Sequence, residues 1–175
     1  MNDSISIHEA CRRGDLEALQ TSLGDRPDFP NCHGTAGIGY VLEYAIYHSP
    51  LPFVRALLEL GADPNYRDDS GFPCLLATLS CQDRPDRHEM LDMLVAFGAD
   101  IEQRGHNDYT PLHYAAALED LQAIEQLIAH GADLHARTRI DDYATPLEEA
   151  ELLGRQRAVA LLREKACRME QIGDA

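Results

Sequence analysis

The chain has 175 residues, about one domain's length, with 45% hydrophobic and 26% charged residues, a balance that can bury a core. Asp plus Glu number 30 against 15 Lys plus Arg, a formal net charge of −15; nucleic-acid binding depends on cations meeting phosphate, so no such partner is expected. The longest stretch without a formal charge, Phe29–Leu42, is 14 residues broken by Pro30, Asn31 and three glycines, too short for a spanning helix of ~20 apolar residues, and no membrane association is expected.

Residues 1–15 have no basic start followed by an apolar run, so no secretory leader is expected. Five cysteines, an odd number with no pair two residues apart, suit reduced thiols in a cytoplasmic protein. Cys32 and His33 are the only close Cys–His neighbours, so no metal site is expected.

Two elements then alternate along the chain. The first begins degraded, at Ile5–Ala10, Tyr40–Ala45 and Phe72–Ala77, and sharpens to Thr110-Pro111-Leu112-His113-Tyr114-Ala115 and Thr145-Pro146-Leu147-Glu148-Glu149-Ala150. Its closing alanines, at 10, 45, 77, 115 and 150, are spaced 35, 32, 38 and 35. Thr followed by Pro is an N-cap and a first-turn proline, so helices start at Thr110 and Thr145, and Thr145 with Glu148 fits a capping box. The second element is an apolar run, Phe53–Leu60, Met90–Phe97 or Ala123–His130, closed by Gly-Ala-Asp at 61, 98 and 131. Those glycines suit the left-handed residue that ends a helix. One such helix pair is too small to bury its own apolar face, and stacked neighbours share the burial.

The run Asn107-Asp108-Tyr109-Thr110-Pro111-Leu112-His113-Tyr114-Ala115-Ala116, closed by His130-Gly131-Ala132-Asp133, resembles a near-consensus ankyrin repeat. The resemblance covers almost the whole chain as five units, roughly 4–36, 37–69, 70–107, 108–140 and 141–170. It implies an all-α repeat solenoid in a single domain, 1–175, of helix–turn–helix units joined by β-hairpin fingers, with atypical end units as caps. In the last unit Arg155, Arg157, Arg163, Lys165 and Arg168 weight the final helix with cations. Within the family, the repeat's own His position, filled by His8 and His113, usually makes a structural hydrogen bond. The slot shared by Tyr44 and Tyr114 faces the concave groove, and Tyr47, one turn from Tyr44, shares its face.

Departures from the repeat mark candidate binding regions. Five extra residues separate Ala77 from Leu91 relative to Ala115 and Ile124. They fall around Ser80–Arg87 and form either a partner-specific protrusion or a tolerated loop insertion. The fingers after Asp63, Asp100 and Asp133 lengthen from eight to nine to eleven residues. In the last, Arg137 and Arg139 either pair with Asp141 and Asp142 or, with Arg104, grip a partner carboxylate. Tyrosine combines contact area with a polar tip, which suits interfaces; Tyr109 and Tyr143, abutting helix starts, are expected to fill gaps instead.

These readings point to a protein–protein interaction module acting as adaptor, inhibitor or regulator. Its groove is lined by Tyr44, Tyr47, Leu76 and Tyr114 and rimmed by Arg67, Arg104, Arg137 and Arg139. The acidic surface favours a partner with a basic patch, and a monomer is expected. The short, Arg-heavy architecture is similar to bacterial stand-alone ankyrin proteins. No Gly-x-Ser-x-Gly, Walker or His-Glu-x-x-His arrangement occurs, and the glycine-rich 34–39 run lies in a finger. Neither enzymatic activity nor a cofactor is therefore expected, and adjacent acids such as Asp68-Asp69 suit a solvated face. Two alternatives are a small-molecule or peptide-ligand protein, with Arg137, Asp141 and Tyr114 lining a polar pocket under the last finger, and a self-associating structural repeat.

Overall fold

The computed structural model describes residues 6–24, 26–34, 39–67, 72–140 and 143–173. Among these, ten α-helices follow one another: α1 (Ile7–Arg13), α2 (Leu16–Leu23), α3 (Val41–His48), α4 (Leu51–Glu59), α5 (Cys74–Ser80), α6 (Arg87–Ala96), α7 (Pro111–Leu118), α8 (Leu121–Ala129), α9 (Pro146–Leu152) and α10 (Gln156–Gly173). A 3₁₀ turn, His106–Asp108, precedes α7. They pack as two compact units, residues 1–99 and 100–175.

In the first unit α1 packs on α2 and α3, α3 on α4 and α5, and α5 on α6. In the second, α7 packs on α8 and α9, and α10 packs on α8 and α9. The recurring alanines explain how neighbours approach: Ala10, Ala45, Ala77, Ala115 and Ala150 are all fully buried. A larger side chain at these positions would overpack the contact. Leucines fill the space around them, among them Leu19, Leu57, Leu91 and Leu94 in the first unit and Leu112 and Leu127 in the second.

Helix starts and stops follow the sequence closely. Thr110 and Thr145 cap α7 and α9, each within a reciprocal capping box completed by His113 or Glu148. The predicted left-handed glycines are present, with φ of 92°, 91° and 92° at Gly61, Gly98 and Gly131. Each is followed by a buried alanine whose N–H reaches back into the helix. Ala62 donates to the Leu57 carbonyl at 2.9 Å, Ala99 to Leu94 at 3.0 Å and Ala132 to Leu127 at 2.9 Å. This is the Schellman closure.

The aspartate that completes each Gly-Ala-Asp turns the chain onward. Asp63, Asp100 and Asp133 accept the backbone N–H two residues ahead at 2.8, 2.9 and 2.8 Å, an Asx turn each time. Loops are latched to the next loop along the chain. Asn31 donates to the Gly61 carbonyl at 2.9 Å and accepts from the Asp63 N–H at 2.6 Å, and Asn65 donates to the Gly98 carbonyl at 2.9 Å. In the second unit Glu102 accepts from the Asp133 N–H at 2.8 Å.

These side-chain bonds bear on the expected fingers. Among the described residues no strand forms, and the only β pairing is an isolated antiparallel bridge, His33 with Tyr40. The β-hairpin fingers are therefore not shown; the connections are turns held by Asx turns and latches together with backbone bonds such as Gly105 N–H to the Tyr109 carbonyl and Thr138 N–H to the Ala144 carbonyl, each 3.0 Å.

Candidate functional site

In the first unit, helical spacing places His8 and Arg12 one turn apart on α1, and Tyr44, Tyr47 and His48 together on α3. The two helices pack together, and their polar rings meet. The Tyr44 hydroxyl and His8 Nδ1 are hydrogen-bonded. The His48 ring lies 4.4 Å from that of Tyr44, 5.6 Å from His8 and 6.2 Å from Tyr47, centroid to centroid. Partial desolvation by the surrounding protein, and secondarily the neighbouring His8, hold the His48 imidazole below the ordinary histidine range although its surface is exposed. Burial also raises Tyr44, which stays a neutral phenol able to donate. Tyr47 is 38% exposed, and its hydroxyl accepts from Ser80 Oγ at 3.4 Å.

His8 and His113 both make hydrogen bonds within the chain, as their repeat position implies, but to different kinds of partner. His113 is fully buried, with Nδ1 2.8 Å from Thr110 Oγ1 and Nε2 3.0 Å from the Ala144 carbonyl. It sits at the third position of α7, where it reaches back to the cap. In α1 the cap is Ser6, so His8 sits at the second helical position and is exposed toward Tyr44 instead. The missing Thr-Pro pair ahead of His8 was the available signal.

The insertion forms a loop, residues 81–86, between α5 and α6, as its position predicts. It is held down by Arg84, only 14% exposed, which donates to the Ile46 carbonyl at 2.8 Å and the Ser49 carbonyl at 2.7 Å while pairing with Asp86 at 2.7 Å. The last carbonyls of a helix have no intrahelical donor, so Arg84 acts as a C-terminal cap for α3 supplied from 35 or more residues away. Sequence reasoning missed this contact because its targets are backbone atoms. Between the loop and the ends of α1 and α3 lies a cavity of about 520 Å³ whose walls include Arg12, Tyr47, His48, Ser49 and Arg84.

Leu76 corrects the expected groove lining. It is 0% exposed and belongs to the core, because all six residues from Cys74 to Leu79 on α5 are buried. Arg67 is exposed beside the buried Tyr66, which stacks on Tyr40 with centroids 5.1 Å apart. Asp68 and Asp69, and the middle of the glycine-rich run, residues 35–38, lie outside the described residues.

In the second unit Tyr114 is half-buried on α7. Arg104 and Arg139 converge on one carboxylate: Arg104 Nη1 donates to Asp108 Oδ2 at 3.0 Å, and Arg139 Nη2 donates to Oδ1 at 2.6 Å. The Arg139 bond, against a smaller opposing effect of burial, holds Asp108 below the usual carboxylate range. Arg137 donates to Glu148 Oε2 at 2.9 Å and to the Tyr143 carbonyl at 2.8 Å. Arg104, Arg137 and Arg139 therefore already hold partners within the chain; Asp141 and Asp142, and with them that part of the polar pocket, lie outside the described residues. Tyr109 fills a gap as expected, its hydroxyl donating to Glu149 at 2.5 Å. Tyr143 does not: it is 61% exposed.

Helix pairs in register, Schellman closures and caps on Thr-Pro define an all-helical repeat protein. The family pattern of ankyrin repeats (3 copies) matches residues 76–172, more than half the chain, and that of ankyrin repeats (many copies) matches residues 42–84. The chain belongs to the ankyrin-repeat family. It is similar to alpha-latroinsectotoxin-Lt1a of Latrodectus tredecimguttatus, 31% identical over 79% of this chain and 10% of that protein. It is also similar to the RelA-associated inhibitor of Mus musculus, 30% identical over 51% of this chain and 10% of the relative. A third relative is the target of rapamycin complex 2 subunit AVO2 of Saccharomyces cerevisiae, 28% identical over 75% and 30% respectively. The chain thus spans a tenth to under a third of the length of these relatives. Among the described residues no helix is long and apolar enough to cross a membrane.

Proposed function

We propose that this chain is a protein–protein interaction module, binding a partner through the Tyr44–Tyr47–His48 face of the first unit and serving as an adaptor, inhibitor or regulator. The observation that carries the reading is the clustering of two tyrosines and two histidines beside a cavity, with Tyr47 and both imidazoles exposed. Aromatic side chains with polar tips are what interface cores favour. Two relatives support it by name, one an associated inhibitor and one a subunit of a complex. Tyr114 and Arg67 remain contacts within the same proposal. Arg104, Arg137 and Arg139 are weaker contributors, since a partner carboxylate must displace Asp108 or Glu148.

A net charge of −15 favours a partner with a basic surface and acts mainly on the rate of encounter. Affinity capture from lysate of the source cells tests the reading, comparing wild type with Tyr44→Ala/Tyr47→Ala and with Tyr114→Ala after circular dichroism has shown all three folded. A protein retained by wild type and lost with the first variant supports it. Equal recovery by all three contradicts it.

A further inference from the structure

The last finger carries a tyrosine whose side chain the fold leaves unused. Tyr143 is 61% exposed, and its backbone is left-handed, with φ of 50°. A bulky side chain rarely adopts that conformation, whereas Gly or Asn does so at little cost. Among the described residues only the Tyr143 backbone is hydrogen-bonded: its N–H donates to the Ile140 carbonyl at 3.4 Å, and its carbonyl accepts from Arg137 at 2.8 Å. Other tyrosines are engaged within the chain. Tyr40 and Tyr66 stack on each other, Tyr44 bonds His8, Tyr47 bonds Ser80, and Tyr109 bonds Glu149. Backbone conformation at position 143 thus calls for Gly or Asn, and the chain supplies an exposed ring instead.

The backbone beneath that ring is pinned from several sides. Thr138 and Ala144 are both buried and close the base of the loop. The Thr138 N–H donates to the Ala144 carbonyl, and the Ala144 N–H donates to Thr138 Oγ1, each at 3.0 Å. The same Ala144 carbonyl lies 3.0 Å from Nε2 of the buried His113. Arg139 ties one limb to Asp108 through its backbone N–H and its guanidinium, each at 2.6 Å. Arg137 links the Tyr143 carbonyl to Glu148 of the α9 capping box. Ile140, at the other end of the Tyr143 N–H bond, is 48% exposed. Two apolar side chains therefore meet water on a backbone already held in place, which lowers the ordering cost of binding.

We infer that Tyr143, with Ile140 beside it, is a pre-formed anchor that enters an apolar cleft of a partner protein edged with Lys or Arg side chains. An aromatic ring on a held loop supplies contact area with little entropy left to lose. The basic edge follows from charge. Both guanidiniums of the finger are already paired, Arg137 with Glu148 and Arg139 with Asp108, and the chain carries a net charge of −15. A cation can also lie over the face of an exposed tyrosine ring. This finger belongs to the second unit, so it stands or falls separately from the first-unit face.

Two measurements on the full chain test the anchor. Tyr143→Asn should melt at the wild-type temperature or a few degrees above it, because Asn accepts the left-handed backbone that Tyr strains. A lower melting temperature would show that the ring serves the fold and overturns the inference. Benzoylphenylalanine is then placed at position 143 and, as control, at the equally exposed Leu152 on α9, 62% exposed, in the source cells. Position 143 should yield a cross-linked protein absent from position 152, and the labelled site, mapped by mass spectrometry, should be apolar with Lys or Arg beside it. Capture of that protein should fall at least about tenfold with Tyr143→Asn and persist with Tyr143→Phe. No cross-link from position 143, the same products from both positions, a labelled site flanked by acids, or undiminished capture by Tyr143→Asn would each overturn it.

Discussion

Residues 100–175 and residues 1–99 are built on one repeat, but their polar side chains are used differently. In the second unit α7 and α9 have side-chain caps that reciprocate, and the rim arginines are tied to Asp108 and Glu148. In the first unit α3, α4, α5 and α6 have no side-chain cap at their N-termini. Its polar rings and Arg12 lie at an exposed face beside a cavity. Near-consensus repeat chemistry ties polar groups into reciprocal caps and ion pairs, whereas departure from it in the first unit brings polar rings together at an exposed face.

The largest effect is expected at the second unit's most completely bonded side chain. His113→Ala leaves the Thr110 cap and the buried Ala144 carbonyl without their imidazole partner, and should destabilise the second unit by about 3 kcal/mol, read from urea unfolding. Arg84→Ala removes the remote cap of α3 and should cost about 1–3 kcal/mol in the first unit. Accelerated hydrogen exchange at the C-terminal end of α3 would localise that loss. A change confined to the loop amides would count against the capping role.

Acidification also acts on the second unit through His113. Burial is the main cause that holds His113 below the ordinary histidine value of 6.5. The unfolded chain takes up this proton near pH 6.5, and the folded chain only at lower pH. Stability should therefore fall as pH drops below about 6.5 and level off once the folded imidazole also protonates. Urea midpoints at pH 7.5 and 5.5 check this, and His113→Gln should flatten the difference while lowering both midpoints. Smallest is Arg137→Ala: its pair with Glu148 is exposed, so a loss of less than about 1 kcal/mol is expected by the same measurement.

Much of the fold was legible because its signals are local. The left-handed glycines, the Thr-Pro caps, the buried alanines and the position of the insertion all depend on neighbours within a turn or two. The site was legible only in part. Tyr44 and Tyr47 share a face because helical periodicity puts them there. Leu76 was misplaced because α5 is buried on every side, so no stripe distinguishes groove from core. Arg139 finds Asp108 31 residues away, and Arg84 finds backbone carbonyls, which carry no residue identity. His8 bonds Tyr44 and not its own helix cap because of a one-residue shift in helix start that alanine spacing does not reveal.

The first unit's Tyr–His face is the surface proposed to touch the partner. A photo-reactive phenylalanine analogue at position 47, compared with the same group at exposed position 60, tests it most directly in the source cells. One dominant cross-linked protein is expected from position 47 and should be absent from position 60. Cross-links of equal yield and identity from both positions would contradict it.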